Sequence, residues 1–406
     1  MKPRSLPARI LSSRTTAAMA AAAVSAALLL AGCGHYSVAQ PAAPGKVKTA
    51  PSPTKVLPTG APTTVCSNGS RLAAWSNRRL AMLTIAVPAA ESASTDVSEE
   101  VAAGAGGVLL FGTAAPKSLG SDLSVLRAHV PGRLGLLVMT DEEGGGIQRM
   151  ANLVGSLPWP SWMGAHWSAA QIRTAVGQVG ARMAAAGVNM DLAPVADVDG
   201  RDVAPGTDPD GWRSFSGDSA VAAQDTVAFM DGLRTAGVIP VLKHFPGLGG
   251  SSGNSDLGPA RSLPWSVESG VGLPPFTAAI AAGAPAVMVS NDTVPGLATN
   301  PGGLSPTTIS QELEGGLRFH GLVVTDSLTA GAVSGAGFTV PQAAVQALRS
   351  GADMVMFGLV RNVAGETSAI ADAVVEAVAE HHLDRARLIA AAGAVLAVRH
   401  VDLCRG

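Results

Sequence analysis

Residues 238–256, VIPVLKHFPGLGGSSGNSD, are the stretch from which the fold and the site of this chain can be worked out. An uninterrupted apolar run ends at Leu242, and the polar pair Lys243-His244 follows it directly. This pattern predicts a buried strand that carries two polar side chains at its C-terminal end, followed by a mobile loop rich in glycine and serine. Outside the N-terminal region, the only lysines are Lys117 and Lys243. The rarity of lysine indicates that Lys243 has a chemical role.

The composition is typical of a globular domain with a large core. The chain has 406 residues, 47% of them are hydrophobic, and the formal net charge is −2. Neither this charge nor any basic stripe favours a nucleic-acid partner. The sequence also lacks the CxxC, HExxH and acidic calcium-loop patterns, so it predicts neither a metal site nor a cofactor. We expect the protein to be a monomer.

The N-terminal region contains two segments that precede the folded domain. Basic residues precede an uncharged stretch at 15–32, which ends in Leu-Ala-Gly directly before Cys33. This order is typical of a secretory signal peptide at 1–33, and its end resembles a bacterial lipobox, in which the cysteine is lipidated. Residues 34–65 contain six prolines and no apolar period, which predicts a disordered tether. We expect an extracytoplasmic lipoprotein anchored to the cell membrane, with an uncleaved membrane helix as the alternative.

The two remaining cysteines bracket the region that we expect to fold. Cys66 lies at the start of the predicted domain, 66–406, and Cys404 lies near its end. Outside the cytoplasm a disulfide between the two ends is plausible, and two free thiols are the alternative.

Short apolar runs alternate with alanine-rich helical stretches throughout this region. The runs are continuous rather than alternating, as expected for parallel strands that are covered on both faces. Strands are predicted at 107–111, 134–139, 188–192, 238–242, 285–289, 321–325 and 352–357. Helices are predicted among others at 169–186, 220–236, 274–282 and 342–350. This order predicts an α/β fold, a (β/α)8 barrel of the TIM type in a single catalytic domain, with a doubly wound open sheet as the alternative.

Polar residues cluster at the C-terminal ends of the predicted strands. They are Asp141, Asp191, Lys243, His244, Asn291, Asp292 and Asp326. In a barrel these strand ends converge on one mouth, where the active site lies. A single aspartate at a strand end is more often a turn or helix cap. So many together favour an enzyme that acts on a polar, uncharged substrate.

Motifs that occur in order along the chain resemble those of the family 3 glycoside hydrolases, in the single-domain bacterial β-N-acetylhexosaminidase branch. They are DEEGGGIQR at 141–149, NMDLAPVADV at 189–198, WRSF at 212–215, LKHFPG at 242–247 and VTDSL at 324–328. The resemblance implies hydrolysis of terminal, non-reducing β-linked N-acetylglucosamine from cell-wall glycans by a retaining mechanism. A β-glycosidase with another sugar specificity is an alternative on the same scaffold.

Carried over residue by residue, the resemblance implies that Asp326 is the catalytic nucleophile, which forms a covalent glycosyl-aspartate. It also implies a set of residues that bind the sugar hydroxyls. These are Asp141, Arg149, Arg213, Lys243 and His244. The glycines after Glu143 should let the chain turn so that Asp141 and Arg149 reach the same mouth. We expect the neighbouring cations to keep Asp326 ionised.

The sequence departs from the family at the acid/base. In this branch a histidine supported by an aspartate performs that role in the loop after KHFPG, and here Asp256 and Asn254 occupy those two places. Because carboxylic acids are the acid/base in most glycosidases, we predict Asp256 as the candidate. In one alternative the acid is missing, and the protein binds glycans without efficient hydrolysis. In the other, Asp292 or His166 supplies the proton.

Two further points concern Lys243 and the aromatic residues. A lysine at a barrel strand end can form a Schiff base, as in aldolases, although the surrounding polar residues suit hydroxyls better than a carbonyl.

Sugar sites also use the faces of aromatic side chains, and Trp212 is the best candidate for the mouth. Trp159, Trp162 and Trp167 are equally well explained by packing.

Overall fold

The structure, a computed structural model, describes residues 66–204 and 210–405. The predicted signal peptide, the lipidation site Cys33 and the tether at 34–65 lie outside the described residues and stay predictions. Within the described ranges no helix is both long enough and apolar enough to cross a bilayer.

Ten strands are present in the described ranges, and eight of them form a closed parallel barrel. In chain order the strands are β1 (Ile85–Ala90), β2 (Gly107–Phe111), β3 (Leu137–Thr140), β4 (Glu142–Gly144), β5 (Ile147–Gln148), β6 (Met190–Asp191), β7 (Ile239–Phe245), β8 (Ala286–Val289), β9 (Leu322–Ser327) and β10 (Met354–Met356). Around the barrel the order is β1-β10-β9-β8-β7-β6-β3-β2, and β4 and β5 form a separate antiparallel hairpin. The closed sheet confirms the predicted fold class and excludes the doubly wound alternative.

Helices follow the strands along the chain. They are α1 (Asn68–Leu72), α2 (Asn77–Leu83), α3 (Ser98–Ala102), α4 (Leu119–Ala128), α5 (Ala151–Val154), α6 (Pro160–His166), α7 (Ala169–Ala185), α8 (Ser219–Thr235), α9 (Trp265–Val271), α10 (Leu273–Ala281), α11 (Gly331–Gly335), α12 (Val340–Ser350), α13 (Val363–Ala379) and α14 (Arg385–Val398). Short 3₁₀ segments occupy Glu91–Val97, Gly211–Arg213 and Gly302–Leu304, and Thr307–Gly316 is π-helical. Neighbouring helices pack side by side, α7 against α8 and α8 against α10.

The core explains why the strands are continuous apolar runs. Strand side chains such as Val87, Val138, Val241 and Val324 are fully buried. Because the interior of the barrel covers one face of each strand and a helix covers the other, no position along the strand favours a polar residue. Polar side chains appear only where the strands end at the mouth.

The first barrel strand is the one that the sequence analysis missed. Residues 80–90 are apolar without interruption apart from Thr84, although α2 ends and β1 begins within them. The hydrophobic pattern therefore marks no boundary between helix and strand, and a proline such as Pro88 is unfavourable within a strand. Pro88 nevertheless lies within β1, in register with Leu109 of β2.

The two ends of the described domain are joined covalently. Cys66 and Cys404 form a disulfide, with their Cα atoms 5.9 Å apart. The side chain of Asn68 adds two hydrogen bonds, donating to the carbonyl of Val401 at 2.7 Å and accepting from the amide of Leu403 at 2.8 Å. The first helix is thereby fixed to the segment that follows α14.

Candidate active site

The residues to which the sequence analysis assigned catalysis or sugar binding line a single cavity at the C-terminal ends of the strands. Its volume is about 450 Å³. The predicted residues in its lining are Asp141, Arg149, Arg213, Lys243, His244, Asp256 and Asp326. They come from the ends of different strands and from the loops that follow, which the barrel brings to one mouth. No group of three or more potential metal ligands occurs within the described ranges.

Lys243 lies near the end of β7 between two carboxylates. Its Nζ is 2.7 Å from Asp141 Oδ1 and 2.6 Å from Glu143 Oε1, and only 3% of the side chain is exposed. Burial alone would lower the pKa of this lysine, but the two carboxylates outweigh burial and raise it. Lys243 is therefore a fixed ammonium rather than the neutral amine that a Schiff base requires, which removes the basis of the aldolase alternative.

Glu143 is a site residue that the sequence analysis missed. Arg213 binds it through two parallel contacts, Nε to Oε2 at 2.8 Å and Nη2 to Oε1 at 2.9 Å. Burial opposes its ionisation, but Arg213 and Lys243 hold the pKa of Glu143 well below its usual range. The DEEGG motif could have indicated this role. Side chains alternate along a strand, so Glu142 and Glu143 on β4 point to opposite faces and only one of them can face the cavity.

Asp141 and Arg149 complete this side of the cavity. Positive φ angles at Gly144 and Gly145 turn the chain back, as the glycines predicted, so that both side chains reach the mouth. Arg149 Nη2 is 3.5 Å from Asp141 Oδ2. Burial raises the pKa of Asp141, but Lys243 and then Arg149 more than offset it, so the pKa is lowered. An ionised carboxylate and a guanidinium at this spacing suit adjacent sugar hydroxyls.

A buried aspartate orients His244. Asp197 accepts hydrogen bonds from the backbone amides of His244 at 3.0 Å and Leu248 at 2.9 Å, and its Oδ2 lies 2.7 Å from His244 Nδ1. The other ring nitrogen, Nε2, is 3.2 Å from Arg213 Nη2. The imidazole is therefore fixed at both nitrogens, and Asp197 is a positioning residue for it.

Asp326 lies on β9, four strands from β3 around the barrel and thus on the opposite side of the mouth. The half-buried carboxylate accepts a hydrogen bond from the amide of Ser327 at 2.6 Å. Burial and the negative charge of Asp256 raise its pKa, although His244 acts in the other direction. From the sequence, the neighbouring cations were expected to keep Asp326 ionised. The lysine and the arginines instead contact Asp141 and Glu143.

Asp256 lines the same cavity from an exposed position in the loop after β7. Its amide donates to Asn254 Oδ1 at 2.9 Å. The carbonyls of Ser255 and Asp256 accept hydrogen bonds from the amides of Ala332 and Gly331, each at 2.9 Å. The candidate acid/base is thus held by its backbone against the start of α11, just beyond the nucleophile's strand.

The loop that carries Asp256 was predicted to be mobile, but it is packed against the barrel. Leu248 is 3% exposed, and Ser251 Oγ donates to the buried Asp292 Oδ2 at 2.5 Å. A Cβ at Gly249 would lie 1.9 Å from the carbonyl oxygen of Val198, so the loop approaches the body closely only because this residue is glycine.

The other candidate proton donors do not reach the cavity. Asp292 is 1% exposed, is bonded to Ser251 beneath the loop, and is not among the lining residues. His166 is exposed, stacks on Trp162 at a ring-centroid distance of 4.4 Å, and lines a different pocket. Among the candidates from the sequence, Asp256 is the one that shares a cavity with Asp326.

The fold and the cavity define a (β/α)8 barrel protein with a polar mouth, in which fixed cations lie on one side and two further carboxylates lie elsewhere. The chain belongs to glycosyl hydrolase family 3. The model of the "Glycosyl hydrolase family 3 N terminal domain" matches residues 79–398.

Relatives and solved structures agree with this family. The chain is 34% identical over 242 residues to the β-hexosaminidase LpqI of Mycobacterium tuberculosis, covering 57% of this chain and 61% of LpqI. It is 34% identical over 261 residues to a β-hexosaminidase of Stenotrophomonas maltophilia, covering 62% and 75%. A crystal structure of a β-N-acetylhexosaminidase from Beutenbergia cavernae superposes with a TM-score of 0.71 at 29% identity, covering 80% of this chain and 98% of that one. The match thus spans less than two thirds of LpqI.

Replacing Lys243 with methionine should destabilise the fold. Methionine keeps much of the apolar stem but leaves Asp141 and Glu143 without part of their counter-charge, so the free energy of unfolding at pH 7 should fall by about 3–5 kcal/mol. Lys243 lowers the pKa of both carboxyls in the folded state. Their stabilisation is therefore present above the unfolded pKa and is lost as the pH falls through the folded one. The deficit of the variant should shrink below about pH 4.

Urea denaturation from pH 3 to pH 7 measures this difference. Lys117→Met, at an exposed lysine, is the matched control and should change the free energy of unfolding little. Equal losses in the two variants, or a deficit that grows at low pH, would contradict the role assigned to Lys243.

Proposed function

We propose that this protein is a retaining β-N-acetylhexosaminidase that removes terminal, non-reducing β-linked N-acetylglucosamine from cell-wall-derived glycans. The observation that carries the proposal is that Asp326 and Asp256 line the same cavity as the predicted hydroxyl-binding residues. The names of the β-hexosaminidase relatives support the activity and the sugar. The cell-wall origin of the glycan follows from the predicted envelope location, and no cofactor is required.

The first half of the reaction forms a bond to Asp326. Its carboxylate attacks the anomeric carbon while the glycosidic C–O bond breaks, and the leaving oxygen takes a proton from Asp256. Asp141, Arg149 and Lys243 hold the sugar hydroxyls on the other side of the mouth during this step. The products of the half-reaction are a glycosyl-aspartate and the shortened glycan.

The second half regenerates the enzyme. Asp256, now ionised, takes a proton from a water molecule, and the oxygen of that water attacks the anomeric carbon. The bond to Asp326 breaks, so the free sugar leaves and both carboxyls return to their starting states. The exposed position of Asp256 gives water access to the anomeric carbon.

The alternative with a specific observation behind it is a glycan-binding protein with little hydrolysis. Asp256 replaces the histidine of the family pattern, and it lies at an exposed position in the loop after β7 rather than enclosed in the site. We also propose that the protein acts as a monomer on the outer side of the membrane, held there by the lipid on Cys33.

A 2-fluoro glycoside tests the covalent step. Fluorine at C2 destabilises the oxocarbenium-like transition state, and an activated leaving group allows the first half-reaction, so the glycosyl-enzyme should accumulate. Mass spectrometry after proteolysis should find the label on Asp326, and Asp326→Asn should remove it. Absence of label with the 2-fluoro glucoside and xyloside, and with a 5-fluoro analogue of N-acetylglucosamine, whose C2 already carries the acetamido group, would favour the glycan-binding alternative.

The acid role of Asp256 predicts a dependence on the leaving group. Asp256→Asn should lower kcat/KM by about 10²–10⁴-fold on β-linked oligosaccharides, whose leaving alkoxide needs a proton. On an aryl glycoside with an acidic phenol the loss in the first half-reaction should be less than about tenfold, because that leaving group departs without protonation. Asp384→Asn, an exposed aspartate at the start of α14, is the matched control. Equal losses on both substrates would exclude the acid role.

The same variant should change the pH profile. Asp326 must be ionised to attack, so the rate falls as the pH drops through its pKa, and Asp256 raises that pKa. Removing the charge of Asp256 should therefore shift the acidic limb of kcat/KM on an aryl glycoside to lower pH. A limb that stays in place or moves upward would contradict the electrostatic coupling of the two carboxyls.

A further inference from the structure

Four tryptophans gather beside the catalytic cavity rather than in it. Trp159 and Trp212 lie 5.7 Å apart between ring centroids, and Trp162 and Trp167 lie 5.6 Å apart. The catalytic cavity itself has Phe111 as the single aromatic residue among its described lining residues. Aromatic faces that would suit sugar rings are therefore concentrated next to the site.

Three of these residues, Trp159, Trp162 and Trp212, line a second cavity, which we call the tryptophan pocket. Its volume is about 500 Å³, compared with about 450 Å³ for the catalytic cavity. The tryptophan pocket is therefore at least as large as the catalytic cavity. Arg201 and Asp202 also line it, and both are exposed. Asp202 carries oxygen atoms that can accept hydrogen bonds from hydroxyls, whereas the carboxylate of Asp199 is paired with Arg201.

The indole rings are fixed before any ligand binds. Trp162 is 44% exposed, and one of its faces stacks on His166 with an interplanar angle of 14°. Trp159 rests on the β4–β5 turn so closely that a Cβ at Gly145 would lie 2.0 Å from its ring. Trp212 donates its Nε1 proton to Asp202 Oδ1 at 2.6 Å. Rigid, partly exposed aromatic side chains of this kind lose little entropy on binding a ligand.

The tryptophan pocket adjoins the catalytic cavity through two short pieces of chain. The β4–β5 hairpin places Glu143 and Ile147 in the catalytic cavity, and the glycines between them support Trp159. Trp212 directly precedes Arg213, which lines the catalytic cavity. A glycan that occupies the catalytic cavity thus lies next to a second set of surfaces suited to sugars.

We propose that the tryptophan pocket is an accessory binding site for a neutral β-linked glycan, such as a strand of N-acetylglucosamine units. Flat indole faces bind the apolar faces of pyranose rings, and the exposed carboxylate of Asp202 accepts hydrogen bonds from their hydroxyls. The proposal rests on the proposed function for its ligand, and it identifies the substrate as an oligomer or polymer rather than a single glycoside. It assigns Trp162 a binding role outside the reacting centre.

Calorimetry of a β-1,4-linked N-acetylglucosamine hexasaccharide tests this site without turnover. The measurement uses the full chain with Asp326→Asn, so that the glycan stays intact. Adding Trp162→Ala should weaken binding about five- to tenfold, since it removes the exposed stacking face. Trp162→Phe, which keeps an aromatic face, should recover most of the affinity. An affinity unchanged within twofold in Trp162→Ala, or no binding of the hexasaccharide at all, would overturn the proposal.

The kinetic control separates this site from the catalytic one. With Asp326 intact, Trp162→Ala should leave kcat/KM on an aryl N-acetylglucosaminide within twofold of the wild type. Trp75→Ala removes a half-buried tryptophan that lies under Arg79, outside the tryptophan pocket, and should change neither measurement. Failure of the unmodified protein to cleave the aryl glycoside, together with Trp162-dependent glycan binding, would refute the proposed function and leave the accessory site intact.

Discussion

The ammonium of Lys243, enclosed by Asp141 and Glu143, is the interaction on which the site depends. Two carboxylates and an arginine could not lie side by side in a buried mouth without a further cation to balance them. With Lys243 in place, Asp141 remains ionised and directed into the cavity, while Glu143 fixes Arg213 through both of its oxygens. One point charge at the end of a rigid strand thus orders the groups that are suited to sugar hydroxyls.

Much of the architecture could be predicted from the sequence because parallel barrel strands have a simple signature. Continuous apolar runs followed by polar residues located β2, β7, β8 and β9 to within a few residues. Strands in which that signature is interrupted or absent were not predicted. No turn residue separates β1 from the apolar end of α2, and the β4–β5 hairpin consists of polar residues and glycines apart from Ile147. Such elements are determined by the closure of the barrel and by tertiary hydrogen bonds rather than by local pattern.

The sequence predicted which residues line the site, but not which of them contact one another. The strand-end residues meet in one cavity, yet the partner of each had to come from the structure. The site role of Glu143 was not predicted, because two adjacent acidic residues in a sequence are typical of an exposed segment. The loop after β7 was expected to move because it contains many glycines and serines, but Gly249 allows a close approach and Ser251 forms an anchor. A loop rich in glycine and serine can therefore be closely packed rather than mobile.

The hydrogen bonds from Gly331 and Ala332 to the loop that carries Asp256 have a mechanical consequence. α11 begins just after the strand of Asp326, and a Cβ at Gly331 would lie 2.6 Å from the backbone of Leu257, so the two segments touch main chain to main chain. The spacing of the two chain segments that follow Asp326 and carry Asp256 is therefore set by backbone contacts. If the mouth of the barrel widens or narrows, we expect these two backbone segments to move together, because hydrogen bonds join them.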